Sequence, residues 1–365
     1  VFIRIWIAVC FPLIALSAMR APALALPIFA HRYGVTCQAC HTTIPHLNAF
    51  GQLFLANGFR WPGKQPPARV LPAAVKVNLL YTSAPDHGIP KGAVDEVELL
   101  TGGSLGQRVS YFLEQYAVDG GRPGATRDAW VDYQIGHLDL ARGAAMHVRA
   151  GQFTLPLPFD PETERPTENH YAVFDQMVGA NPFNFFDDRI GVDAAFGIAD
   201  RGAFHVSLLK AHDPQSGLPT DGLDRMVAYQ HATGDVTLSA YRYDGARPLG
   251  PIADRFWRLG FASHASRGHA AIDLLTQTGS DSSADGSGAA LMSSGGFVQG
   301  TWTFTDALRG VVRYDRTATA GAQATSTTVS LIVRPYRNAS FTIEDVISHA
   351  PQTTHTLNVG WLFAY

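Results

Sequence analysis

Leu357-Asn358-Val359-Gly360-Trp361-Leu362-Phe363-Ala364-Tyr365 carries a large apolar residue at every second position, 357 through 365. A period of two is the repeat of one face of a β-strand, whereas a helical face repeats at about 3.6 residues. The same rhythm runs upstream. Val75, Val77, Leu79 and Tyr81 alternate with Ala74, Lys76, Asn78 and Leu80. Ala129, Val131, Tyr133 and Ile135 alternate with Trp130, Asp132, Gln134 and Gly136, and Phe204, Val206 and Leu208 with His205 and Ser207. Val298, Trp302 and Phe304, and later Val329, Leu331 and Val333, continue it. From Val70 onward about sixteen such segments can be counted, an even number.

The connections between segments narrow the architecture. Short turns are expected at Gly102-Gly103, Leu140–Gly143, Ala199–Arg201, Thr233–Asp235, Ser266–Gly268, Thr305–Ala307 and Pro335–Asn338. Between them fall longer polar stretches at Ser83–Lys91, Asp119–Arg127, Thr154–Asp187, His212–Leu223, Asp244–Ala253 and Thr278–Ser293. Alternating short and long connections are the pattern of a transmembrane antiparallel barrel, and a soluble sandwich has no reason to sort its loops this way. A mean hydropathy of +0.00 excludes a bundle of apolar membrane helices, but barrel strands average to neutral and are compatible with it. The aromatic ending resembles the signal by which outer-membrane barrels are recognised for insertion. The expected fold is therefore all-β: an outer-membrane barrel of about sixteen strands over residues 67–365. With apolar side chains facing lipid, Lys76, Asp132, His205, Arg334 and Glu344 are expected to line the lumen.

Residues 1–25 read as a signal peptide. Arg4 supplies the positive start, Ile5 to Ala18 the apolar core, and Ala23-Leu24-Ala25 a small-x-small cleavage site. Removing Arg4 and Arg20 with it takes the net charge from −3 to −5, which does not suit nucleic acid as a partner. Cys10 would leave with this segment, so the three cysteines reduce to Cys37 and Cys40.

Those two cysteines belong to Cys37-Gln38-Ala39-Cys40-His41, the C-x-x-C-H pattern of covalent haem attachment. Two thiols three residues apart on one helical turn reach the two vinyl groups of a haem, and the following imidazole is the proximal iron ligand. A half zinc site or a thioredoxin-like pair are the competing readings. The first lacks a fourth ligand of suitable spacing, and the second lacks a surrounding βαβ pattern. Thr42 to Pro45 is expected to turn, after which Leu47, Phe50, Leu53 and Phe54 recur at helical spacing until Gly58 and Pro62-Gly63. Residues 26–66 are thus expected to be a small helical segment holding one c-type haem. It is too short to bury the haem alone and is expected to lean on the chain beyond Gln65-Pro66-Pro67. His46 is the local candidate for the distal iron position, with His31 nearby and His87, His137 or His147 as approaches from the rest of the chain.

The stretch from Thr154 to Asp188 is long for an unstructured connection and is a candidate to fold into the barrel. It carries Asp160, Glu162, Glu164, Glu168, Asp175, Asp187 and Asp188. Those carboxylates suit a hard divalent cation, although a solvated loop without a ligand is the plainer expectation.

A haem motif followed by a barrel resembles the fused outer-membrane cytochrome–porin family of iron-oxidising bacteria. The carrying residues are Pro27-Ile28-Phe29-Ala30, Gly34, Cys37-x-x-Cys40-His41, Pro45-x-Leu47-x-x-Phe50-Gly51-x-x-Phe54 and Gly58-Phe59. His31 and Leu55 depart from the arginine and lysine expected at those places. The resemblance implies an electron conduit across the outer membrane, a possible Fe(II):cytochrome c oxidoreductase. Its partners would be an extracellular donor, with Fe(II) the candidate, a periplasmic cytochrome acceptor, outer-membrane lipid and the barrel-assembly machinery. The alternative is a solute porin whose cytochrome segment senses redox state or plugs the channel. A haem peroxidase with water at the distal position is a third possibility.

Overall fold

The computed structural model describes residues 29, 33–35, 39–43, 46–47, 50–51, 54, 59, 61, 73–83, 92–139, 144–161, 165–198, 202–212, 219–249, 252–282, 289–336 and 338–364. The first 25 residues, Cys37 and the turns expected at 140–143 and 199–201 lie outside them, as do the candidates His31 and His87.

Two short strands, β1 (His41–Thr43) and β2 (His46–Leu47), pair antiparallel. The barrel begins with β3 (Ala73–Thr82), β4 (Gly92–Ser104), β5 (Val109–Asp119), the two-residue arm β6 (Arg122–Pro123), β7 (Thr126–Asp139) and β8 (Ala144–Phe153). It continues with β9 (Arg189–Ile198), β10 (Gly202–His212), β11 (Pro219–Thr233), β12 (Val236–Leu249), β13 (Ile252–Arg267) and β14 (Ala270–Asp281). The last five are β15 (Leu291–Thr305), β16 (Leu308–Thr319), β17 (Ala322–Tyr336), β18 (Ala339–Ala350) and β19 (Gln352–Ala364). Each pairs antiparallel with its neighbours, β5 pairs β7 directly, and the sheet closes on itself. Leaving out the β6 arm, sixteen strands form the wall.

Closure is made by the alternating C-terminal stretch. Asn358 to Ala364 pairs with Thr82 to Lys76 across the seam. A sheet in lipid has no water to satisfy an open edge, so the last strand must find the first. Alternation then sorts the side chains. Val131, Tyr133, Ile135, Phe204, Val206, Leu208, Val298, Trp302 and Phe304 point outward and are each more than two-fifths exposed. Their neighbours Trp130, Asp132, Ser207, Leu209, Gln299 and Thr301 are buried inside. A closed barrel with an apolar outer belt is a membrane barrel, and the chain is placed in a bacterial outer membrane.

Two sets of expectations need correction, the first being the connections: Gly102 and Gly103 lie inside β4, paired with Phe112 and Tyr111, and β5 turns at Gly120-Gly121 into β6 instead of opening a loop over 119–127. Asp244–Ala253 is no loop: β12 and β13 stay paired through Asp244↔Trp257 up to Leu249↔Ile252. The ladder satisfies the backbone there, so the hairpin prolongs the wall instead of opening a loop. On the same rim, β16 and β17 are joined by Ala320 and Gly321 alone, both in the left-handed region (φ 49 and 85), as a two-residue I′ turn requires. Connection length therefore marks the two rims less sharply than the sequence implies.

The second correction concerns the segment 26–66. Helical backbone is found at Phe29, Tyr33, Phe50, Gly51 and Phe54, but His41 and Leu47 lie opposite each other in the β1–β2 pair. Cys40 and His41 thus do not continue one helical turn among the described residues. β-Branched Thr42 and Thr43 followed by Pro45, which bars helix at the residue before it, favour extended chain here.

Candidate functional site

All five residues expected in the lumen are on the inner face. Lys76 binds Glu98 at 2.5 Å, Asp132 binds His147 Nδ1 at 2.6 Å, and His205 Nδ1 meets Asp193 at 2.9 Å. Arg334 shares the register of buried Ser326, Thr328, Ser330 and Ile332, and its Nη2 donates to the Asp306 carbonyl. Glu344 is fully buried.

Glu344 faces the second component of the interior, the segment 154–188, which turns back into the barrel. The described part of this segment is held by the wall at many points. Glu344 accepts the backbone N–H of Glu168 at 3.0 Å and of Asn169 at 2.7 Å. Arg313, fully buried, binds Asp315 through Nε at 2.7 Å and donates to the Thr167 hydroxyl and to the carbonyls of Asn169 and His170. Gln176 donates to Thr319 and to the Ala318 carbonyl, and Asn181 bridges Asp254 and Asp281 at 3.1 and 2.8 Å. These bonds satisfy the groups named, while Arg165 Nε and Nη1, buried in the same segment, find no hydrogen-bond partner among the described residues.

The segment also brings its own apolar core. Phe159, Tyr171, Val173, Phe174, Phe183, Phe185 and Phe186 bury against the inward-facing Tyr241, Tyr243, Phe256, Leu275 and Phe297 of the wall. Tyr171 stacks on Phe297 at 4.5 Å. Phe183 sits within 6 Å of three guanidinium groups, those of Arg189, Arg247 and Arg258, a cation–π collar inside a desolvated site. Arg247 and Arg258 are themselves neutralised by Asp224 and Asp281 at 2.8 and 2.6 Å. The run of aromatic residues from Tyr171 to Phe186 is the legible sign that this loop has something to bury.

The carboxylates suited by type to a divalent cation are dispersed. Asp188 faces Arg127 at 3.1 Å, Asp187 binds Asn184, and Asp175 lies beside His170. Glu162 and Glu164 lie outside the described residues. Among the described residues no three His, Cys, Asp or Glu side chains converge as metal ligands. Burial in the lumen and the Glu344 carboxylate push Glu168 up to about 7.

The third component is the segment bearing the haem motif. Cys40 is half-buried in a turn; His41 and His46 stand on the two strands of the β1–β2 pair. Six aromatic rings cluster in the same segment: Phe29, Tyr33, Phe50, Phe54, Phe59 and Trp61, with centroids 4.1 to 6.2 Å apart in the contacting pairs. The Tyr33 hydroxyl donates to the Phe59 carbonyl at 3.1 Å. The cluster docks on the inner wall of the barrel. Phe59 reaches Phe112 at 5.4 Å and Trp130 at 5.6 Å, and Phe29 reaches Phe112 at 6.3 Å. The expectation that this short segment leans on the rest of the chain holds at these rings.

Three His–Asp pairs on the inner wall carry no signal in the sequence pattern. His147, His205 and His264 bind Asp132, Asp193 and Asp273 at 2.6 to 2.9 Å. Each histidine is the fourth residue from the short-turn end of its strand, so the three share one level of the lumen.

No family model and no curated protein matches the sequence. Solved structures match the barrel. The anion-selective porin from Comamonas acidovorans aligns with a TM-score of 0.60 at 12% identity, over 80% of this chain and 98% of that one. OmpF of Salmonella typhi, solved with daunomycin, gives 0.60 at 10% identity over 80% and 97%. OmpT of Vibrio cholerae, in a loop-deletion form, gives 0.54 at 12% identity over 80% and 98%. At these identities the likeness is one of fold: a porin-type barrel of sixteen strands.

Proposed function

We propose that this chain is an outer-membrane electron conduit, with Cys37 and Cys40 as the thioether anchors and His41 as the proximal ligand of one covalent haem c. The carrying observation is that the segment containing this motif is packed by its aromatic rings onto the inner wall of a membrane barrel. The donor types present in the sequence fit such a group: two thiols three residues apart and an imidazole next to the second. When bound, the haem would supply one-electron chemistry, which needs no acid–base or nucleophilic side chain. The chain's own contribution is placement and insulation. The described rings dock on the inner face of the wall, and residues 165–188 occupy the lumen with an apolar core and hydrogen bonds to Glu344 and Arg313. An extracellular donor, with Fe(II) as the substrate candidate, and a periplasmic cytochrome acceptor are the partners this arrangement serves.

The test is made on protein exported in a host able to attach haem. Haem-linked staining should travel with the fully denatured chain and be lost in Cys37→Ala and Cys40→Ala. Fe(II) added to the oxidised, detergent-solubilised protein should reduce it rapidly. Absence of covalent haem ends the proposal; reduction by other small donors but not by Fe(II) removes iron and leaves the conduit.

The porin fold by itself favours a second reading, a solute porin with a plugging or redox-sensing N-terminal segment. Planar-bilayer recordings separate the two. A wide, steady current through the intact chain supports the porin; an electrically tight barrel supports the conduit.

A further inference from the structure

We propose that the outer face of β10–β13, at the rim opposite the short turns, is a binding surface for the phosphate groups of an anionic glycolipid of the outer leaflet. Basic residues gather on this face. Lys210 stands between buried Leu209 and Ala211, Arg225 between Asp224 and Met226, Arg242 between Tyr241 and Tyr243, and Arg255 between Asp254 and Phe256. Alternation therefore turns all four away from the lumen. Each lies beyond an exposed apolar run that starts nearer the short turns: Phe204, Val206 and Leu208 on β10, Tyr229 and Val227 on β11, Leu238 on β12 and Phe261 on β13. Short turns of a membrane barrel are periplasmic and the opposite rim is extracellular. The basic row thus sits where the apolar belt ends and the outer headgroups begin.

The ladders bring the row together. Leu208 faces Arg225, Arg225 faces Asp244, and Asp244 faces Trp257 on successive strands. Arg242 forks onto Asp244 with contacts of 2.7 to 3.1 Å, and its guanidinium lies 5.4 Å from the Trp257 ring centroid. Lys210 reaches Asp221 only at 3.8 Å. Arg225 and Arg255 are exposed and form no ion pair among the described residues. Four cations thus meet two carboxylates, Asp221 and Asp244, and the surplus is positive. An exposed guanidinium offers a planar fork that matches phosphate, and basic clusters at a bilayer surface attract anionic lipid. Trp257 supplies the amphipathic ring typical of that interface. Beyond the row the β12–β13 ladder continues from Asp244↔Trp257 to Leu249↔Ile252, about 16 Å of strand. It forms a wall for the sugars beside the phosphates. A symmetric contact with a second copy of the chain would set the surplus charge against itself.

The test uses full-length protein extracted from outer membranes into mild detergent, purified lipopolysaccharide as the probe, and native mass spectrometry to read bound lipid. The native protein should bind it. The double variant Arg225→Glu with Arg255→Glu should keep the compact migration of a folded barrel on an unheated gel and lose affinity roughly tenfold or more. If the charge reversal disturbs folding, Arg225→Gln with Arg255→Gln must show the same loss. Arg316→Glu, on β16 and away from the row, should bind as the native protein does. Lipopolysaccharide stripped of its phosphates should bind the native protein as weakly as intact lipid binds the double variant. Equal binding by the native protein and the double variant overturns the proposal, and so does equal binding of the stripped lipid. Displacement by millimolar inorganic phosphate assigns the row to free phosphate and overturns the lipid. An oligomer that carries no lipid and dissociates in the double variant gives the face to a second copy and overturns it as well.

Discussion

Phe59 and Trp130 stack with centroids 5.6 Å apart and ring planes 23° from parallel, which joins the motif segment to the barrel wall across the lumen boundary. Trp130 is 4% exposed and also carries the Arg149 guanidinium over its ring. Removing so buried a ring leaves a cavity, with a typical cost of about 3–5 kcal/mol. In Trp130→Ala the motif segment should therefore loosen before the barrel does. Limited proteolysis should release N-terminal fragments several times faster than in the native chain, with the folded barrel still migrating as a compact band on an unheated gel. Unchanged cleavage would mean that the stack does not hold the segment.

Arg313 is the main polar anchor of the re-entrant segment, because one guanidinium serves Asp315, the Thr167 hydroxyl and two carbonyls. Arg313→Ala strands the fully buried Asp315 charge, and breaking such a pair typically costs about 3–5 kcal/mol. The segment should unseat, and single-channel conductance in a planar bilayer should rise. Adding Asp315→Ala should recover part of the closure by removing the stranded charge. A closed channel in the single variant would place the anchoring in the aromatic core instead.

The seating of the same segment should depend on pH through Glu168. Its folded value of about 7 lies above the ordinary 4.5 of a glutamate, so the folded state holds this proton more tightly than the unfolded chain. The resulting stabilisation is fully present below about 4.5, declines as pH rises, and is lost above about 7. Deprotonation sets two carboxylates, Glu168 and Glu344, against each other. Conductance or protease access should increase from about pH 6 to about pH 8, and Glu168→Gln should flatten the profile. Gly360 bears on this site, since a Cβ there would collide with the Glu168 carboxylate. Gly360→Ala should displace Glu168 and reproduce the open behaviour at low pH.

Val298 is 51% exposed on the outer face, between Leu274 and Tyr314 of the adjoining strands. Val298→Arg puts a charge against lipid near mid-strand and should lower unfolding stability by about 2–4 kcal/mol, measured in urea with phospholipid vesicles. The same change at Met292, near the rim, should cost about 0–1 kcal/mol. Equal costs at the two positions would contradict the assigned belt.

The barrel is legible in the sequence because its signal is local and repeated. Val131, Tyr133 and Ile135 against Trp130, Asp132 and Gln134 declare inside and outside with no knowledge of partners, and a closed sheet is the one arrangement of such strands that lipid tolerates. The Cys37-x-x-Cys40-His41 spacing is legible for a similar reason, because the chemistry is confined to five consecutive residues. Helical spacing of Leu47, Phe50 and Phe54 misleads at Leu47, where short β1 and β2 pair and local propensity is overridden.

What the residues determined alone was period, inward and outward faces, and the haem motif. The tertiary structure alone decided which residues meet across the lumen: Phe59 on Trp130, Arg313 on the carbonyls of Asn169 and His170, Asp132 on His147. Phe59 lies far from Trp130 in sequence, and Arg313 farther still from Asn169. No periodicity records such pairs, because they arise from the way a closed wall brings inward faces of separate strands around one small volume.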